Sequence, residues 1–295
     1  MPRYRAEQEE RLLDFLKHRL NGWKVSTVKQ RLKNGLVLRN GEPAHSGAAM
    51  LAPGDTVEIL AVPPSPAAYL PVGLGEPPLP VLYADDHLIA VDKPSGLLSV
   101  ASERERNLTA VRVMREWLAG FDREASRELH AAHRLDRDAS GVLLFARSLA
   151  VKRSLAASWH KFEKIYAAVV DGVPPEKEGV IDVPLWEDKG LFVRVADGRG
   201  GESALTRYRL VRKSGGRSLF EVSLGTGRKH QIRVHLAHIG CPIVGDTRYG
   251  VSKASRLALH AARLRLLHPA DGREVTITAR MPHLFGRMLS RSGRG

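Results

Sequence analysis

The chain contains 295 residues, 43% of them hydrophobic, and carries a formal net charge of +14. This length allows a sizeable core in one large domain or two unequal ones, and the positive charge is typical of proteins that bind nucleic acid. Its single cysteine, Cys241, excludes an internal disulfide and a cysteine zinc site. Because no apolar run approaches the ~18 residues of a membrane span and the N-terminus lacks the apolar core of a signal peptide, we expect a cytoplasmic protein.

Residues 1–61 predict a small unit that begins with two helices. Leucines at helical spacing indicate the first helix: Leu12, Leu13, Leu16 and Leu20. The second helix should begin at Ser26 or Thr27 and end at Gly35. Thr27 and Gln30 have the spacing of a capping box. This helix carries cations of one sign that fit contact with phosphates: Lys24, Lys29, Arg31 and Lys33.

A β-hairpin should complete this unit. Apolar runs at residues 36–38 and 57–60 predict two strands, and Asn40-Gly41 is a strong hairpin-turn signal. The segment resembles the αL RNA-binding module, an S-four-like domain. The resemblance rests on the two short helices, the Lys33-Asn34-Gly35-Leu36-Val37 junction, the Asn40-Gly41 turn and Gly54-Asp55-Thr56-Val57. It implies that Lys29, Arg31 and Lys33 contact RNA.

The rest of the chain predicts a larger domain of the α+β class. Residues 62–79 are rich in proline and read as a stiff linker. From 80 to 286, strands and amphipathic helices predict a mixed, largely antiparallel sheet. Asn107 should cap a helix that ends at Gly120. Strands are expected at 81–83, 88–91, 164–170, 204–211, 219–225, 262–267 and 274–279. Residues 287–295 read as a basic tail.

One stretch carries the strongest functional signal, and it runs His133-Arg134-Leu135-Asp136-Arg137-Asp138-Ala139-Ser140-Gly141. It leads directly into Val142-Leu143-Leu144-Phe145-Ala146, which predicts a buried strand. The order of residues resembles the active-site signature of the RluA-type pseudouridine synthases. That resemblance implies that Asp136 is the catalytic carboxylate and that His133 and Arg134 face the RNA. The family commonly has Thr where this chain has Ala139, which removes a hydroxyl but neither the carboxylate nor the turn.

Two further segments match the same family. Lys164-Ile165-Tyr166 alone reads as an ordinary strand, but the resemblance implies that Tyr166 is the active-site tyrosine. Gly225-Thr226-Gly227-Arg228-Lys229-His230-Gln231-Ile232-Arg233 reads as a turn that opens a helix, a natural anion site. The resemblance implies that Arg233 pairs with Asp136. It assigns the RNA-facing wall to Arg228, His230 and Gln231, and the seat of the base to Leu259.

The implied reaction is the isomerisation of uridine to pseudouridine in structured RNA. The bond from ribose C1′ to uracil N1 breaks, the uracil turns, and C1′ bonds to C5, so no cofactor or metal is demanded. A carboxylate suits the first step, by attack on the ribose, attack on the base or a glycal route. Arg134 should support extrusion of the uridine from its stack. Ribosomal RNA of the large subunit is favoured over transfer RNA, and a monomer is expected.

Three other readings compete with this one. A metal hydrolase would use the histidines near 230–238, but their spacing mixes helix faces. A glycosidase would pair Asp136 with Asp138, which stand too close in one loop to flank a sugar. The serious alternative is a catalytically inactive RNA-binding or ribosome-assembly protein. The presence of Asp136, Tyr166 and Arg233 argues against it.

Overall fold

The computed structural model describes most of the chain. The described residues are 3–20, 25–33, 37–44, 46–59, 76–103, 105–196, 198 and 200–290. They form a small N-terminal unit, residues 3–59, and a larger unit, residues 76–290. None of the helices in these segments is both long and apolar enough to cross a bilayer.

The N-terminal unit packs two helices against a four-stranded antiparallel sheet. Its elements are β1 (Arg3–Arg5), β2 (Glu10–Arg11), α1 (Leu12–Arg19), α2 (Val25–Lys33), β3 (Val37–Arg39), β4 (Glu42–Pro43), β5 (Met50–Leu51) and β6 (Thr56–Ile59). The sheet order is β1-β6-β3-β4, while β2 and β5 form a separate pair. Phe15 and Leu16 of α1 pack with Leu32 of α2 and Val57 of β6 in a core of their own.

The first helix and the hairpin turn are confirmed, but the predicted start of the second helix is wrong. Asn40 and Gly41 have φ angles of 51° and 86°, the left-handed pair that a type I′ turn requires. Helix α2 begins at Val25, so Thr27 lies inside the helix and not at the N-cap position that the predicted capping box requires. Gly35, the predicted end of this helix, lies outside the described residues.

The larger unit is built on a ten-stranded mixed sheet. Its ten strands are β7 (Val81–Ala84), β8 (Leu88–Lys93), β9 (His130–Ala131), β10 (Ser140–Ala146), β11 (Glu163–Asp171), β12 (Glu178–Asp182), β15 (Leu205–Ser214), β16 (Arg217–Leu224), β17 (Leu259–Leu267) and β18 (Glu274–Thr278). Two further strands, β13 (Leu185–Glu187) and β14 (Val193–Val195), form a separate hairpin. The order is β12-β15-β16-β11-β17-β10-β8-β7, with β18 beside β17 and β9 beside β10. Strands β10 and β17 are parallel and the other paired strands antiparallel, so the expected mixed, largely antiparallel sheet is confirmed.

Helices cover both faces of this sheet. They are α3 (Ala110–Ala119), α4 (Arg123–Arg127), α5 (Leu149–Ser158), α6 (Gln231–His238) and α7 (His283–Ser290). Leu143 and Phe145 of β10 pack in the core layer shared with α3, α6 and α7, whereas Val142 and Leu144 pack in the layer shared with α5. Because β10 is buried on both faces, its sequence is a continuous apolar run rather than an alternating one.

Two predicted boundaries in this unit are wrong. Thr109 caps α3 by accepting a hydrogen bond from the backbone N–H of Arg112, whereas Asn107 precedes the helix and accepts from the Arg112 guanidinium. Helix α7 contains Arg287 and buries Phe285, so the predicted tail does not begin at 287. Residues 291–295 lie outside the described part of the chain.

The parallel pair β10–β17 meets at a glycine that leaves no room for a side chain. Gly141 has a φ angle of +109°, and a Cβ added there would lie 2.2 Å from the carbonyl oxygen of Ala261. Next to it, Ser140 Oγ lies 2.8 Å from His260 Nδ1 and accepts a hydrogen bond from Arg256 Nη2 at 2.6 Å. These contacts fix the end of the loop that precedes β10.

We expect Gly141→Ala to destabilise the fold by roughly 4 kcal/mol, because the left-handed backbone and the clash each cost about 1–3 kcal/mol. Gly216→Ala is the control, since Gly216 has a φ of +78° with nothing within 4 Å of an added Cβ. Its loss should be only about 1–2 kcal/mol. Urea unfolding of both variants measures the difference, and equal losses would show that contact with Ala261 is unimportant.

Candidate active site

Four segments of the larger unit meet at one pocket on the sheet face that α6 covers. The loop before β10 contributes Asp136, β11 contributes Tyr166, α6 contributes Arg233, and β17 contributes its first residue, Leu259. Strands β11, β17 and β10 are neighbours, which brings together residues that are far apart in sequence. The pocket encloses about 460 Å³, part of it open to solvent. It is also lined by Arg134, Leu135, Ala139, Leu224, Gly227, Arg228, His230, Gln231 and Ile232.

The guanidinium of Arg233 joins two carboxylates. Its Nε and Nη2 atoms each donate to Asp246, both at 2.8 Å, in a two-point grip. Its remaining nitrogen, Nη1, donates to Asp136 Oδ2 at 3.2 Å. The Asp246 side chain is fully buried and that of Arg233 is 6% exposed, whereas the Asp136 side chain is 25% exposed. Asp246 therefore holds the guanidinium in the protein interior, and the carboxylate of Asp136 faces the pocket.

The charged groups of Arg233, Asp246 and Asp136 stabilise one another against the cost of burial. Burial alone would lower the pKa of Arg233, but its hydrogen bonds and Coulomb attraction to Asp246 and Asp136 raise it. Burial alone would likewise raise the pKa of Asp246, but the hydrogen bonds from Arg233 lower it. Asp246 Oδ1 also accepts from the backbone N–H groups of Arg248 and Tyr249. Both groups are thus held in their ionised forms.

A buried lysine and a serine hold the loop on either side of Asp136. The Lys93 side chain is fully buried. Its ammonium group donates to the carbonyl oxygens of Pro94 (2.9 Å), Leu97 (2.7 Å) and Arg137 (3.1 Å). Burial lowers the pKa of Lys93 to about 8, against the attraction of nearby carboxylates. Ser99 Oγ accepts from Leu135 N and donates to Leu135 O, both at 2.9 Å. The residues before and after Asp136 are therefore fixed through their backbone.

Tyr166 lines the pocket beside Asp136. Its ring packs against the core layer beneath the pocket. Burial raises the pKa of the Tyr166 phenol, and the negative charge of Asp136 adds to the effect. The side chain is therefore a neutral aromatic ring with a hydroxyl group.

His230 is held at the pocket by Tyr249. It is the N-cap residue of α6 and adopts a left-handed backbone, with φ of 53°. Its Nδ1 lies 2.9 Å from Tyr249 Oη, which accepts a hydrogen bond from the backbone N–H of Val193. The Tyr249 hydroxyl group therefore engages Nδ1 of His230, as donor or as acceptor according to the tautomer of the ring. Burial lowers the pKa of His230, which favours the neutral form.

The other predicted pocket residues differ in whether their side chains already bond to other groups of the protein. Arg134 is exposed at the pocket, and Leu259 lines it from below. Arg228 pairs with Glu202 at 2.9 Å. Gln231 lines the pocket, but its amide is occupied by protein: it accepts from Thr226 and the backbone of Arg228 and donates to Leu205 O and Thr206. Its amide therefore shapes the loop that begins α6.

The structure does not place His133 at the pocket, contrary to the prediction. Its Nε2 accepts the backbone N–H of Leu144 at 3.1 Å, and its ring stacks on Trp159 with centroids 4.7 Å apart. Burial lowers the pKa of His133 to about 4, so the ring is neutral near pH 7. His133 thus ties the loop to β10 and the 3₁₀ turn after α5, because a neutral imidazole can accept the strand N–H.

The predicted cations of α2 have different environments. Lys29 is exposed. Arg31 instead pairs with Asp86 of the larger unit at 3.3 Å, with both side chains mostly buried. This contradicts the expectation that Arg31 faces RNA, because its guanidinium is turned toward a carboxylate of the same chain. The side chain of Lys33 lies outside the described residues.

Sequence reasoning missed two charged residues that support the pocket. Asp246 lies in the Gly245-Asp246 stretch after α6, and Lys93 follows the apolar run of strand β8. A signal existed in each case, since a lone charge beside a buried strand or a tight glycine turn has to find partners. Asp246 is 13 residues from Arg233, and Lys93 is 44 residues from Arg137, one of its three partners, so only the fold identifies these two contacts. Within the described segments, no three His, Cys, Asp or Glu side chains are grouped as metal ligands.

Comparison with known proteins identifies the family of the chain. The chain matches the RNA pseudouridylate synthase family over residues 87–238. An uncharacterized RNA pseudouridine synthase of Chloroflexus aurantiacus is 38% identical over 286 residues, covering 94% of this chain and 88% of that protein. The ribosomal large subunit pseudouridine synthase D of Xanthomonas campestris pv. campestris is 32% identical over 309 residues, covering 98% and 88%. The structure of human RNA pseudouridylate synthase domain containing 4 superposes with a TM-score of 0.59 at 25% identity, covering 71% and 91%.

The chain therefore belongs to the RNA pseudouridine synthase family, and to its RluA type, as its motifs indicated. The predicted enzyme class, an isomerase that converts uridine to pseudouridine in RNA, is confirmed, as is the α+β catalytic domain. Other relatives carry the name of tRNA pseudouridine synthase C.

His133 should make the fold sensitive to acid. Its pKa of about 4 lies below the ordinary 6.5, so the unfolded chain takes up a proton first, and stability falls as the pH drops from 6.5 toward 4. At about 1.36 kcal/mol per pH unit, the loss approaches ~3 kcal/mol. His133→Gln keeps an acceptor for Leu144 N–H but does not titrate, so its stability should fall less over this interval. Urea unfolding at pH 7 and pH 4.5 measures this, with His160→Gln, an exposed site, as control. An unchanged pH dependence in His133→Gln would contradict the assignment.

Proposed function

We propose that this enzyme isomerises uridine in structured RNA with Asp136 as the catalytic carboxylate. The observation that carries the proposal is the position of Asp136. It is the one acidic side chain among the described residues lining the pocket, and it is held there by the buried Arg233. An ionised carboxylate that faces the pocket and is held by a buried arginine is suited to act on the ribose or the base as the C1′–N1 bond breaks. Attack on the ribose, attack on the base and a glycal route are all compatible with this geometry.

Arg233 has two tasks in this proposal. It keeps Asp136 ionised inside a partly dry pocket, and it fixes the position of the carboxylate relative to the sugar. Asp246 makes both tasks possible, because its two-point grip on Nε and Nη2 leaves only Nη1 directed toward Asp136. We therefore regard Asp246 as a positioning residue, which does not touch the substrate itself.

Tyr166 is proposed to retain the detached uracil. An aromatic ring stacked on a base contributes about 1–3 kcal/mol, which opposes escape of the base while it turns. Because burial raises the pKa of the phenol, Tyr166 is protonated at neutral pH and does not offer a ready base for the C5 proton. Leu259, which lines the same pocket, is proposed to seat the base from another side.

The exposed lining residues are proposed to handle the RNA around the target. Arg134 precedes the loop turn that carries Asp136 and is exposed, so it is placed to occupy the stack when the uridine is extruded. Arg228 and the imidazole ring of His230 complete the wall that faces the RNA backbone. The exposed Lys29 of α2 is suited to a phosphate contact elsewhere on the same RNA.

We further propose that the N-terminal unit is an αL RNA-binding module joined by a linker to the catalytic domain. Its separate core and its α2 cation Lys29 support this reading. Such a module favours a structured RNA, and the ribosomal large-subunit name of several relatives favours ribosomal over transfer RNA. A monomer is the expected state of the enzyme.

The test is release of tritium from RNA labelled at uridine C5, since the new C1′–C5 bond displaces that hydrogen. Wild type should release tritium in single-turnover reactions, and Asp136→Asn should slow release by at least ~10³-fold while RNA binding persists. His160→Gln serves as a folded control with wild-type activity. Binding without release by both wild type and Asp136→Asn would instead identify an inactive RNA-binding protein, and release by Asp136→Asn would reject the carboxylate.

A further inference from the structure

A second concave surface lies beside the active-site pocket, on the far side of Tyr249. We call it the hairpin groove. It encloses about 670 Å³ between the β13–β14 hairpin, helix α6 and the loop after Asp246. Its defining residues are Phe192, Arg194, Val234, His238, Arg248 and Tyr249. Of its defining residues, none lines the active-site pocket.

The centre of the hairpin groove is an exposed aromatic ring flanked by guanidinium groups. Phe192 is 37% exposed although it is a large apolar residue. The Cζ atom of Arg248 lies 4.7 Å from the centre of its ring, and that of Arg194 lies 5.9 Å away. Aromatic rings combined with arginine planes are the surface on which proteins stack the bases of unpaired RNA.

The charge of the hairpin groove also favours an anion. Arg194 is paired with Asp188 at 2.9 Å, so part of its charge is neutralised. Arg248 forms no ion pair among the described residues, is exposed, and donates to the carbonyl oxygen of Leu191 at 3.1 Å. None of the described residues that line the groove is acidic. Arg248 therefore keeps most of its five N–H donors for a ligand such as a phosphate.

Tyr249 connects this groove to the active site. Its ring lies 5.2 Å from the Arg233 guanidinium, and its hydroxyl group bonds to His230 and to the backbone N–H of Val193 in the hairpin. The groove thus begins one side chain away from the pocket. A nucleotide that flanks a uridine bound in the pocket lies within reach of this surface, and enzymes that extrude a base also contact the nucleotides beside it.

We propose that the hairpin groove binds an unpaired nucleotide that flanks the target uridine, with its base stacked on Phe192 and its phosphate bound by Arg248. The inference rests on the proposed function only in that RNA is the substrate of the neighbouring pocket. It adds a second recognition point, which selects RNA whose target lies in a loop or a bulge rather than within a continuous helix.

The test compares two truncated groove variants and one aromatic replacement with two matched controls on the opposite face of the sheet. Phe192→Ala should weaken RNA binding on the order of 10-fold, and Phe192→Trp should restore it, because either aromatic ring can stack. Arg248→Ala should weaken binding and reduce the slope of log affinity against log salt concentration by about 1. The controls are Leu149→Ala and Arg153→Ala, exposed residues of α5 that should bind RNA as wild type does.

Filter binding measures these affinities, and tritium release from C5-labelled RNA at saturating enzyme measures the rate in the bound complex. The proposal expects a larger loss in affinity than in this rate for both groove variants. Wild-type affinity in Phe192→Ala and Arg248→Ala would overturn it, even if Asp136→Asn is inactive. Release of tritium by Asp136→Asn would overturn the proposed function instead, whatever the groove variants do.

Discussion

The arrangement of this enzyme depends on one guanidinium that serves two carboxylates. Arg233 is almost fully buried, and a buried charge is tolerated only when it is paired and hydrogen-bonded. Asp246 satisfies that need by accepting from Nε and Nη2, which orients the guanidinium so that Nη1 donates to Asp136 at the pocket. The cost of burying the pair is borne by the stability of the fold, and the benefit is a carboxylate whose position is fixed before RNA arrives.

The sheet determines where Asp136 can meet Arg233. The loop that carries Asp136 ends at Ser140-Gly141, where β10 lies so close to β17 that only glycine fits. Lys93 and Ser99 fix the same loop by its backbone, and β11 presents Tyr166 from the strand on the other side of β17. Much of the stretch 133–141 therefore fixes the conformation of the loop, and this conformation places Asp136 in the pocket. Ala139 is buried in the core layer that Tyr166 packs against.

The sequence predicted the members of the pocket better than their individual tasks. Asp136, Tyr166 and Arg233 stand in motifs whose order is specific, and the structure brings all three to one place. His133 and Gln231 belong to the same motifs, but His133 Nε2 accepts the backbone N–H of Leu144, and the amide of Gln231 is hydrogen-bonded within the protein. A motif records which residues a site requires, and it does not distinguish a side chain that meets RNA from one that supports its neighbour. Asp246 and the hairpin groove depend on contacts between distant segments, which no local pattern reveals.

The most direct test of this account uses the double variant Arg233→Met/Asp246→Asn. It removes both charges of the buried pair, and neutral replacement of such a pair often leaves stability unchanged. The amide oxygen introduced by Asp246→Asn can still accept the N–H groups of the following turn, which Asp246 accepts now. The measurement is the single-turnover rate of tritium release from C5-labelled RNA at saturating enzyme. We predict a folded protein that binds RNA but reacts at least ~10²-fold more slowly, since the carboxylate has lost its fixed partner. A rate equal to that of wild type would contradict the central role of Arg233.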